Sequence, residues 1–404
     1  MRAGGVTRVE TDVLVSGAGV AGLTAAAAFA AAGFRVTLVD PAPPVTAEDA
    51  PDADLRTTAI LQPGVAVLEA AGLWDRLAPH ATALQVMRIV DAGGVVPEPR
   101  VVKDFDASDI SDKPFGWNLP NWLLRREMVA RLAELPGVDF RPGASTASVT
   151  AREAEAIVGL GDGTQVHARL LIAADGRDSP VRRALGIGAR TIRYGQKAVV
   201  FAVTHPIPHE NVSTEIHRAG GPFTLVPLPD RDGRPCSAVV WMERGAEAAR
   251  LAALQEAAFE AEATARSCHL FGPLTLATRR AVWPIIAQVA DRLTAPRTAL
   301  MAEAAHVVPP IGAQGLNMSL TDLRALIDLA RARPEGLGDA AMLDAYAQAR
   351  RGDVAMRVAG IDMLNRASMM GAQGLRDLRA GALDMLYSVA PVRRTLMRTG
   401  LGLT

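Results

Sequence analysis

Short runs of branched apolar residues near the start of the chain predict buried strands, and an alanine-rich segment between them predicts a helix. Residues 12–16, Asp-Val-Leu-Val-Ser, and residues 34–39, Phe-Arg-Val-Thr-Leu-Val, have the composition of strands. The intervening residues 23–32 favour a helix, which Gly33 ends. The N-terminal part is therefore expected to form a strand, a helix and a second strand.

Strand-like alternation returns in the middle of the chain, where it predicts a sheet. The stretches with this pattern are residues 199–203, 213–217, 224–228 and 237–242. Beyond residue 357 the pattern becomes typical of amphipathic helices. The favoured interpretation of this last segment is a helical hairpin that packs on the preceding domain. The alternative is a surface that meets partner enzymes or a membrane.

A glycine-rich loop, Gly17-Ala-Gly-Val-Ala-Gly22, joins the first strand to the helix. Gly17 allows a tight turn, Gly19 lets the backbone approach a pyrophosphate, and Gly22 lets helix and strand pack closely. The free N–H groups and the dipole of the helix would then face the phosphates. Asp40 follows at close to the usual interval of about 20 residues and can accept hydrogen bonds from a ribose. The pattern predicts a dinucleotide site.

A second glycine-rich stretch, residues 159–163, lies between strand-like residues 155–160 and 165–173, so it predicts a hairpin turn. No second glycine loop followed by a helical segment is found in the sequence. A single bound dinucleotide fits FAD as the resident cofactor. A nicotinamide nucleotide, NAD(P)H, would then visit transiently as electron donor.

Two later segments also combine a strand-like run with an acidic residue. Residues 170–174 precede Asp175, and a helix is predicted from Pro180. Residues 297–306 are expected to form a strand that runs into Glu303, followed by a Pro-Pro-Ile-Gly loop and a helix over 319–332. Each segment alone fits a strand that ends in a capping acid, but three such acids favour a shared site.

The composition excludes several classes of protein. The 404 residues are 49% hydrophobic and 21% charged, which is typical of a globular chain with two to three domains. The 43 basic and 43 acidic residues balance, so no nucleic-acid partner is expected. Two cysteines suit a reducing compartment, and Glu10 and Asp12 interrupt the place where a signal peptide would begin. The expected location is the cytoplasm, with a peripheral position at the inner membrane as a further expectation.

These motifs together resemble the group A FAD-dependent aromatic hydroxylases, and within them the ubiquinone-biosynthesis (2-polyprenyl-6-methoxyphenol) hydroxylase family. The resemblance runs from Asp12 to beyond Gly360. Besides the glycine loop, the motifs that carry it are residues 54–60, 68–74, 121–125, 175–176, 194–198, 221–228, 309–317, 346–353 and 362–364.

The resemblance implies an α/β (α+β) fold like that of para-hydroxybenzoate hydroxylase. It comprises a Rossmann-like FAD-binding domain, a β-sheet substrate domain and C-terminal helices. The implied limits are 1–80, 110–190 and 280–345 for the discontinuous FAD-binding domain, 81–109 and 191–279 for the substrate domain, and 346–404 for the helical region.

The resemblance also implies which residues bind FAD. Those expected at its ADP half are Gly17, Gly19, Gly22 and Asp40. Arg56 and Arg125 match arginines that contact the cofactor, Asp175 matches the acid of an Asp-Gly motif, and Glu303 matches the acid that binds the ribityl chain. The segment beside the isoalloxazine contributes Pro310, Gly312, Gly315, Leu316 and Asn317.

Two positions depart from the family pattern. Ala302 and Glu303 stand where the family has Gly-Asp, and Asp40 stands where many relatives have glutamate. A Cβ atom at residue 302 and a longer carboxylate at 303 are expected to shift the loop or to weaken FAD binding. We nevertheless expect Glu303 to bind the flavin.

The chemistry that the resemblance implies is hydroxylation of an electron-rich phenol ring by a C4a-hydroperoxyflavin formed from reduced FAD and O2. His306 and Pro309, beside the flavin loop, are the candidates for a direct part in catalysis, although a structural role is favoured for His306. No metal is expected, because prolines separate His205 from His209 and prevent a helix that would bring them together. The candidates to line the substrate pocket are Gln196, Glu215, Phe223, Pro227 and Trp241.

The leading hypothesis is a monooxygenase that hydroxylates a polyprenylphenol in ubiquinone biosynthesis. The same scaffold could act on another phenolic compound, or it could be a flavin-dependent prenyl reductase that needs no O2. A different class of function is a weakly active scaffold subunit, for which the altered Ala302-Glu303 pair is the one hint. Other quinone-biosynthesis enzymes and the membrane surface are expected partners.

Overall fold

The computed structural model describes residues 7–94, 98–369 and 372–402. Its first sheet is built around a buried core of parallel strands. Its central strand β1 pairs in parallel with β11 on one side and β2 on the other, and Val13, Leu14 and Val15 are fully buried. Parallel strands covered on both faces take such continuous apolar runs. The path is β18-β19-β11-β1-β2-β8, and β9 and β10 extend it beside β11. The strands are β1 (Arg8–Ser16), β2 (Val36–Asp40), β8 (Val138–Pro142), β9 (Thr146–Ala151), β10 (Ala156–Leu160), β11 (Gln165–Ala173), β18 (Thr294–Ala295) and β19 (Thr298–Leu300).

Helices cover this sheet, and a small antiparallel sheet of order β3-β7-β4 lies beside it. Its strands are β3 (Thr57–Leu61), β4 (Thr82–Leu84) and β7 (Gly116–Pro120). Alanine-rich α1 packs against α4 and α9, and α2 also packs against α9. The helices of this part are α1 (Val20–Ala31), α2 (Gln62–Ala70), α3 (Trp74–Leu77), α4 (Asn121–Ala133), α5 (Pro180–Ala184), α8 (Ala302–Ala305) and α9 (Gln314–Ala332).

The second sheet is largely antiparallel, with the order β20-β17-β12-β15-β14-β13-β5-β6 and β16 beside β12. Its strands are β5 (Val86–Asp91), β6 (Val101–Asp106), β12 (Ala189–Thr204), β13 (Val212–His217), β14 (Pro222–Arg231), β15 (Arg234–Arg244), β16 (Thr275–Leu276), β17 (Ala281–Ala290) and β20 (His306–Val307). Helices α6 (Gly245–Ala253) and α7 (Glu256–Arg266) follow β15.

The two faces of the second sheet have different coverings. Alternate residues of β15 point to opposite faces. Val239 and Trp241 pack with Phe259 of α7, whereas Val240 and Met242 belong to the other face. That other face packs against residues of the 308–311 loop and of the helices that follow it. We call it the flavin-side face, because residues 310–317 are predicted to lie beside the flavin ring.

Three C-terminal helices complete the described structure: α10 (Ala340–Ser368), α11 (Gln373–Ser388) and α12 (Ala390–Leu401). The apolar residues Val354 and Ile361 of α10 pack on the flavin-side face. Helix α11 lies along β6, and α12 packs on α11. Within the described ranges, none of the helices is long and apolar enough to span a bilayer.

Most of the elements predicted from the sequence form, but two segments differ. The hairpin at residues 159–163 forms between β10 and β11 as predicted. The strand predicted over 297–306 is shorter, because β19 ends at Leu300 and Glu303 lies in the short helix α8. Helix α9 begins at Gln314, not at Ser319. The domain limits remain a prediction, and residues 281–290, which that prediction assigns to the FAD-binding domain, pair within the second sheet.

Candidate active site

Three glycines shape the loop between β1 and α1 and leave its backbone open on one side. Gly17 has a φ of 106°, and a Cβ atom there would lie 2.4 Å from the carbonyl oxygen of Ala174. At Gly22 a Cβ atom would lie 1.8 Å from the carbonyl oxygen of Gly17. Gly19 is the N-cap of α1, and a Cβ atom there would have no neighbour within 4 Å. The loop thus packs tightly on the sheet while the N-terminus of α1 faces open space, which fits the pyrophosphate of a dinucleotide.

Asp40, at the end of β2, holds the glycine loop through its carboxylate. Its Oδ2 atom accepts a hydrogen bond from the backbone N–H of Ala18 at 2.6 Å, and its Oδ1 atom accepts one from Ala42 at 2.9 Å. Charged acceptors make short, strong hydrogen bonds of this kind. Asp40 therefore positions the loop itself, in addition to the ribose contact that the sequence predicts.

Asp54 brings together the two arginines that are predicted to contact the cofactor. Arg56 donates from Nε and Nη2 to the two carboxylate oxygens at 2.8 and 2.7 Å. Arg125 lies 3.4 Å from Oδ2, and Asn121 donates to the same oxygen at 3.0 Å. Burial favours a higher pKa for Asp54, but Arg56 and these other groups hold that pKa below its usual range. Sequence reasoning missed Asp54 as a site residue, although an acid two residues before Arg56 was a usable signal.

Arg56 also connects the cofactor side of the molecule to the second sheet. Its guanidinium lies 4.2 Å from the centre of the Trp283 ring. Trp283, on β17, is partly buried and packs on the flavin-side face. A guanidinium over an indole ring is an attractive contact. Trp283 is thus an aromatic residue of this face that the sequence prediction did not include.

Glu303 and its neighbours form the next part of the site. The Nε atom of Arg177 lies 3.2 Å from the Oε2 atom of Glu303, whose side chain is 45% exposed. Ala302 adopts a left-handed conformation with φ 54°, a region that favours glycine. Asp175 accepts a hydrogen bond from the backbone N–H of Val181 at 3.0 Å, and burial raises the pKa of its carboxyl group. The family's usual glycine at residue 302 is therefore explained by the backbone, and this chain tolerates alanine there.

The loop from Pro309 leads into the N-terminus of α9. Gly312 and Ala313 both have positive φ values, 62° and 55°, which turn the chain into the helix. The first N–H groups of α9 lack helical partners, and no acidic residue lies in this first turn. Gly315, Leu316 and Asn317 occupy that turn, so the positive end of the helix dipole points into the loop. The positive end of α9 would stabilise the electron-rich edge of a bound flavin ring.

Asn317 ties the loop to the small sheet. Its Nδ2 atom donates to the carbonyl oxygens of Ala59 and Ala313 at 2.8 and 2.7 Å, and its Oδ1 atom accepts from the N–H of Leu61 at 2.9 Å. The side chain is consequently occupied by the protein. Any contact of Asn317 with the flavin would come through its backbone, as the dipole argument expects.

A buried carboxylate, Asp322, joins the Glu303 segment to α9. Its Oδ2 atom lies 2.6 Å from Nε2 of His306, and Arg350 donates from Nε to Oδ1 at 2.7 Å. The N–H of Ala302 donates to Oδ2 at 3.3 Å. The Asp322 side chain is 1% exposed. Burial favours a higher pKa for Asp322, but His306 and Arg350 hold that pKa below its usual range.

This arrangement continues from α10 to the flavin loop. Arg350 donates to one oxygen of Asp353 at 2.6 Å, and Arg357 donates to the other at 2.8 Å. Arg357 also donates to the side-chain oxygen of Gln314 at 2.7 Å, and the amide of Gln314 donates to the carbonyl oxygen of Gly312 at 2.8 Å. A continuous series of ion pairs and hydrogen bonds therefore runs from His306 to the loop that carries Gly312.

The position of His306 supports the structural interpretation. The residue is 3% exposed, and its Nε2 atom is engaged with Asp322. A direct part of His306 or Pro309 in catalysis stays a prediction. In the described part of the chain, no group of three or more His, Cys, Asp or Glu side chains could hold a metal ion.

The predicted substrate residues separate into two groups. Phe223 and Trp241 pack with Phe259 on the α6–α7 side of the second sheet, so their placement corrects the prediction that they line a flavin-side pocket. The reason is that alternation shows which residues share a face but not which face a helix covers. Gln196 is on the flavin-side face, where its amide donates to the carbonyl oxygen of Gly220 at 2.7 Å.

Glu215 and Pro227 are also engaged within the protein. The Oε1 atom of Glu215 lies 2.8 Å from Nε2 of His217 on the same strand. The carbonyl oxygen of Pro227 accepts a hydrogen bond from the side chain of Asn118 at 2.9 Å, and this bond joins the second sheet to the small sheet. Their contribution to substrate binding stays a prediction.

Comparison with known proteins identifies the fold and the family. The family described as FAD binding domain matches residues 10–360. The chain is 32% identical to a ubiquinone hydroxylase, UbiL, of Rhodospirillum rubrum over 97% of this chain and 89% of that protein. It is 26% identical to 3-demethoxyubiquinol 3-hydroxylase of Escherichia coli over 98% of this chain and 100% of that protein.

Solved structures confirm the predicted fold class. A variant of PqsL from Pseudomonas aeruginosa matches with a TM-score of 0.78 and 23% identity, over 93% of this chain and 100% of that chain. The p-nitrophenol 4-monooxygenase PnpA from Pseudomonas putida matches with a TM-score of 0.77 and 19% identity, over 98% and 99% of the two chains. At these identities the likeness shows the fold alone.

Replacement of Glu303 tests its predicted contact with FAD. We expect Glu303→Ala to raise the dissociation constant of FAD about 10- to 100-fold, because one hydrogen bond to a charged group contributes about 1.5–3 kcal/mol. Titration of the apoprotein with FAD, followed by flavin fluorescence, measures this change. Glu335→Ala, at an exposed position, is the matched control. A dissociation constant of Glu303→Ala that equals that of the wild type would show the assignment to be wrong.

The Asp322 contacts predict a particular dependence of stability on pH. Because the pKa of Asp322 is lowered in the folded state, its contribution is present above the unfolded pKa of about 4 and is lost as pH falls through the folded pKa. Urea unfolding of the holoenzyme at fixed FAD concentration should show a steeper loss of stability below about pH 5 for the wild type than for Asp322→Asn.

The same variant should be less stable than the wild type at pH 7 by about 3–5 kcal/mol, since it removes the more deeply buried of the two carboxylates that pair with buried Arg350. Asp328→Asn, on the same helix with a side chain that is 66% exposed, is the control. Parallel stability–pH curves for the wild type and Asp322→Asn would contradict the account.

Proposed function

Because this chain belongs to the FAD binding domain family and matches known ubiquinone hydroxylases along nearly its whole length, we propose that its substrate is a polyprenylated phenol of ubiquinone biosynthesis. The protein is a FAD-dependent aromatic hydroxylase that uses O2. The observation that carries the substrate proposal is the end-to-end match to the R. rubrum ubiquinone hydroxylase. The hydroxylase activity is thus established by family, and the identity of its substrate as a polyprenylphenol is what we propose.

The glycine loop fits the ADP half of FAD. Its three glycines leave the N-terminus of α1 open, and Asp40 holds the turn in place. Arg56 and Arg125 would neutralise the pyrophosphate or bind the ribityl chain, with Asp54 setting their positions. When bound, FAD supplies the redox chemistry: it takes electrons from a donor such as NAD(P)H and delivers one oxygen atom of O2 to the ring.

The protein's own groups bind and orient the reactants. The N-terminal turn of α9 would stabilise negative charge at the edge of the reduced ring, because its N–H groups and dipole point there. The flavin-side face of the second sheet would cover the reacting ring and exclude water, which strengthens electrostatic contacts inside the site. These steps need orientation and charge stabilisation, and they need no nucleophilic side chain.

The proposed substrate also leads to a proposal for the location of the protein in the cell. Polyprenylated phenols are lipids, so a peripheral position on the cytoplasmic surface of the inner membrane would bring the enzyme to them. Other quinone-biosynthesis enzymes are the proposed protein partners, since they supply and consume such intermediates.

A second candidate is the same chemistry on a small phenol. The fold is shared with a p-nitrophenol 4-monooxygenase, and a scaffold of this kind hosts many substrates. Substrate identity therefore rests on the comparison and on the following experiment.

A strain lacking this gene should accumulate a polyprenylphenol short of one or more ring oxygens, and mass spectrometry of its lipids would identify the carbon. Complementation with the wild-type gene should restore the quinone. Complementation with Gly17→Val should fail, since a Cβ atom there would collide with the Ala174 carbonyl group. A normal quinone content with no accumulated intermediate would contradict the proposed substrate.

A further inference from the structure

The C-terminal helices expose an unusual amount of apolar surface. Nine of the twelve large hydrophobic residues that are exposed in the described part of the chain lie between residues 356 and 396. Scattered single exposed hydrophobics are normal on a protein surface, but a concentration of them marks an interaction site. The nine residues are Met356, Met363, Leu364, Leu378, Met385, Leu386, Val389, Val392 and Leu396.

Ion pairs at its edge attach helix α11 to the segment that contains β6. Asp377 pairs with Arg100 at 2.6 Å, and Asp384 pairs with Lys103 at 2.6 Å. The hydroxyl of Tyr387 donates to the carbonyl oxygen of Asp104 on the same strand, β6.

An exposed apolar stripe lies beside these ion pairs. Leu378 and Met385 are spaced i and i+7 on α11, and Val389 directly follows the last residue of the helix. Leu378 is 69% exposed and Met385 is 72% exposed. An exposed stripe of large apolar side chains beside charged residues is suited to the boundary between an apolar and a polar surrounding.

Helix α12 fixes this surface to the flavin loop. Its inward residues Met397 and Leu401 are buried in a cluster that includes Leu61 and Ala313. The carbonyl oxygen of Gly400 accepts a hydrogen bond from the side chain of Gln314 at 3.0 Å. The apolar stripe is therefore held in a defined position next to the site.

The charge of this region indicates the chemistry of what covers it. Residues 357–404 contain seven arginines and three aspartates, whereas the whole chain has no net charge. Arg394 and Arg398 are exposed on α12. An amphipathic helix with basic residues beside an apolar face binds at the surface of a bilayer that contains anionic lipids.

A second copy of the chain fits this surface less well. In a twofold dimer the same patch meets itself, so its excess of arginines would face an equal excess. Anionic headgroups carry the complementary charge, and the acyl boundary receives the apolar side chains.

We propose that α11 and α12, with the exposed face of α10, form the surface by which this protein docks on an anionic lipid bilayer. The inference rests on the proposed function only in that a lipid substrate gives the docking its purpose. The docked surface adjoins the flavin loop, so a lipid phenol would leave the bilayer close to the ring that is to hydroxylate it.

Sedimentation of the FAD-loaded protein with vesicles tests the proposal. The wild type should sediment with vesicles of phosphatidylcholine and phosphatidylglycerol and much less with phosphatidylcholine alone. The triple variant Leu378→Gln, Met385→Gln and Val389→Gln should bind the mixed vesicles at least about tenfold more weakly, because it removes the stripe. Ile207→Gln, at an exposed apolar residue outside these helices, should bind as the wild type does.

Two measurements keep the alternatives apart. Failure of the wild type to bind the mixed vesicles, or equal binding by the triple variant, would overturn the proposal. So would a dimer in sedimentation equilibrium that the triple variant abolishes, since the stripe would then cover a second copy. Hydroxylation of a prenylphenol dissolved in detergent, which should be unchanged in the triple variant, tests the proposed function separately from docking.

Discussion

The flavin side of this molecule depends on one buried carboxylate. Asp322 lies in α9 and accepts hydrogen bonds from the segment that carries Glu303 and from Arg350 of α10. A buried charge of this kind is stable only when its partners surround it, so the three segments must assemble together. The contact with His306 completes the set. Helix α9, whose first turn is proposed to face the ring edge, is thereby fixed relative to the residue that is predicted to hold the ribityl chain.

A similar arrangement at Asp54 positions the arginines at the other end of the cofactor site. Asp54 holds Arg56, and Arg56 reaches across to Trp283 of the second sheet. The two buried carboxylates thus have similar roles at different places. Asp54 holds Arg56 and Arg125, and Asp322 holds helix α9, and both the arginines and the first turn of α9 are predicted to contact FAD. Electrostatic groups positioned before the reaction stabilise developing charge without reorganisation. The rest of the fold supplies the covering sheet and the open N-terminus of α1.

The features that could be predicted from the sequence were those with a local cause. The glycine loop and the turn at residues 159–163 follow from short-range sterics, and both form as expected. The contacts of Asp322 could not be predicted, because Arg350 is distant in sequence and no local pattern pairs them. The direction of Trp241 depended on which face α6 and α7 would cover. Amphipathic periodicity predicted α11, but the ion pair of Asp384 with Lys103 required the structure. The short helix at Glu303 was missed because residues 297–306 were interpreted as one strand, although residues 302–305 are strong helix formers.

Isotope labelling tests the central claim, that this protein inserts an oxygen atom from O2 into a phenol ring, most directly. Purified FAD-loaded protein would be supplied with NADPH, a prenylphenol in detergent and oxygen-18 gas, and the product examined by mass spectrometry. The account predicts one oxygen-18 atom on the ring when the gas is labelled. In a second reaction, with ordinary O2 and labelled water, the ring should gain no oxygen-18. Consumption of NADPH without O2, with a prenyl chain that has gained hydrogen and a ring that has gained no oxygen, would contradict it and identify a reductase.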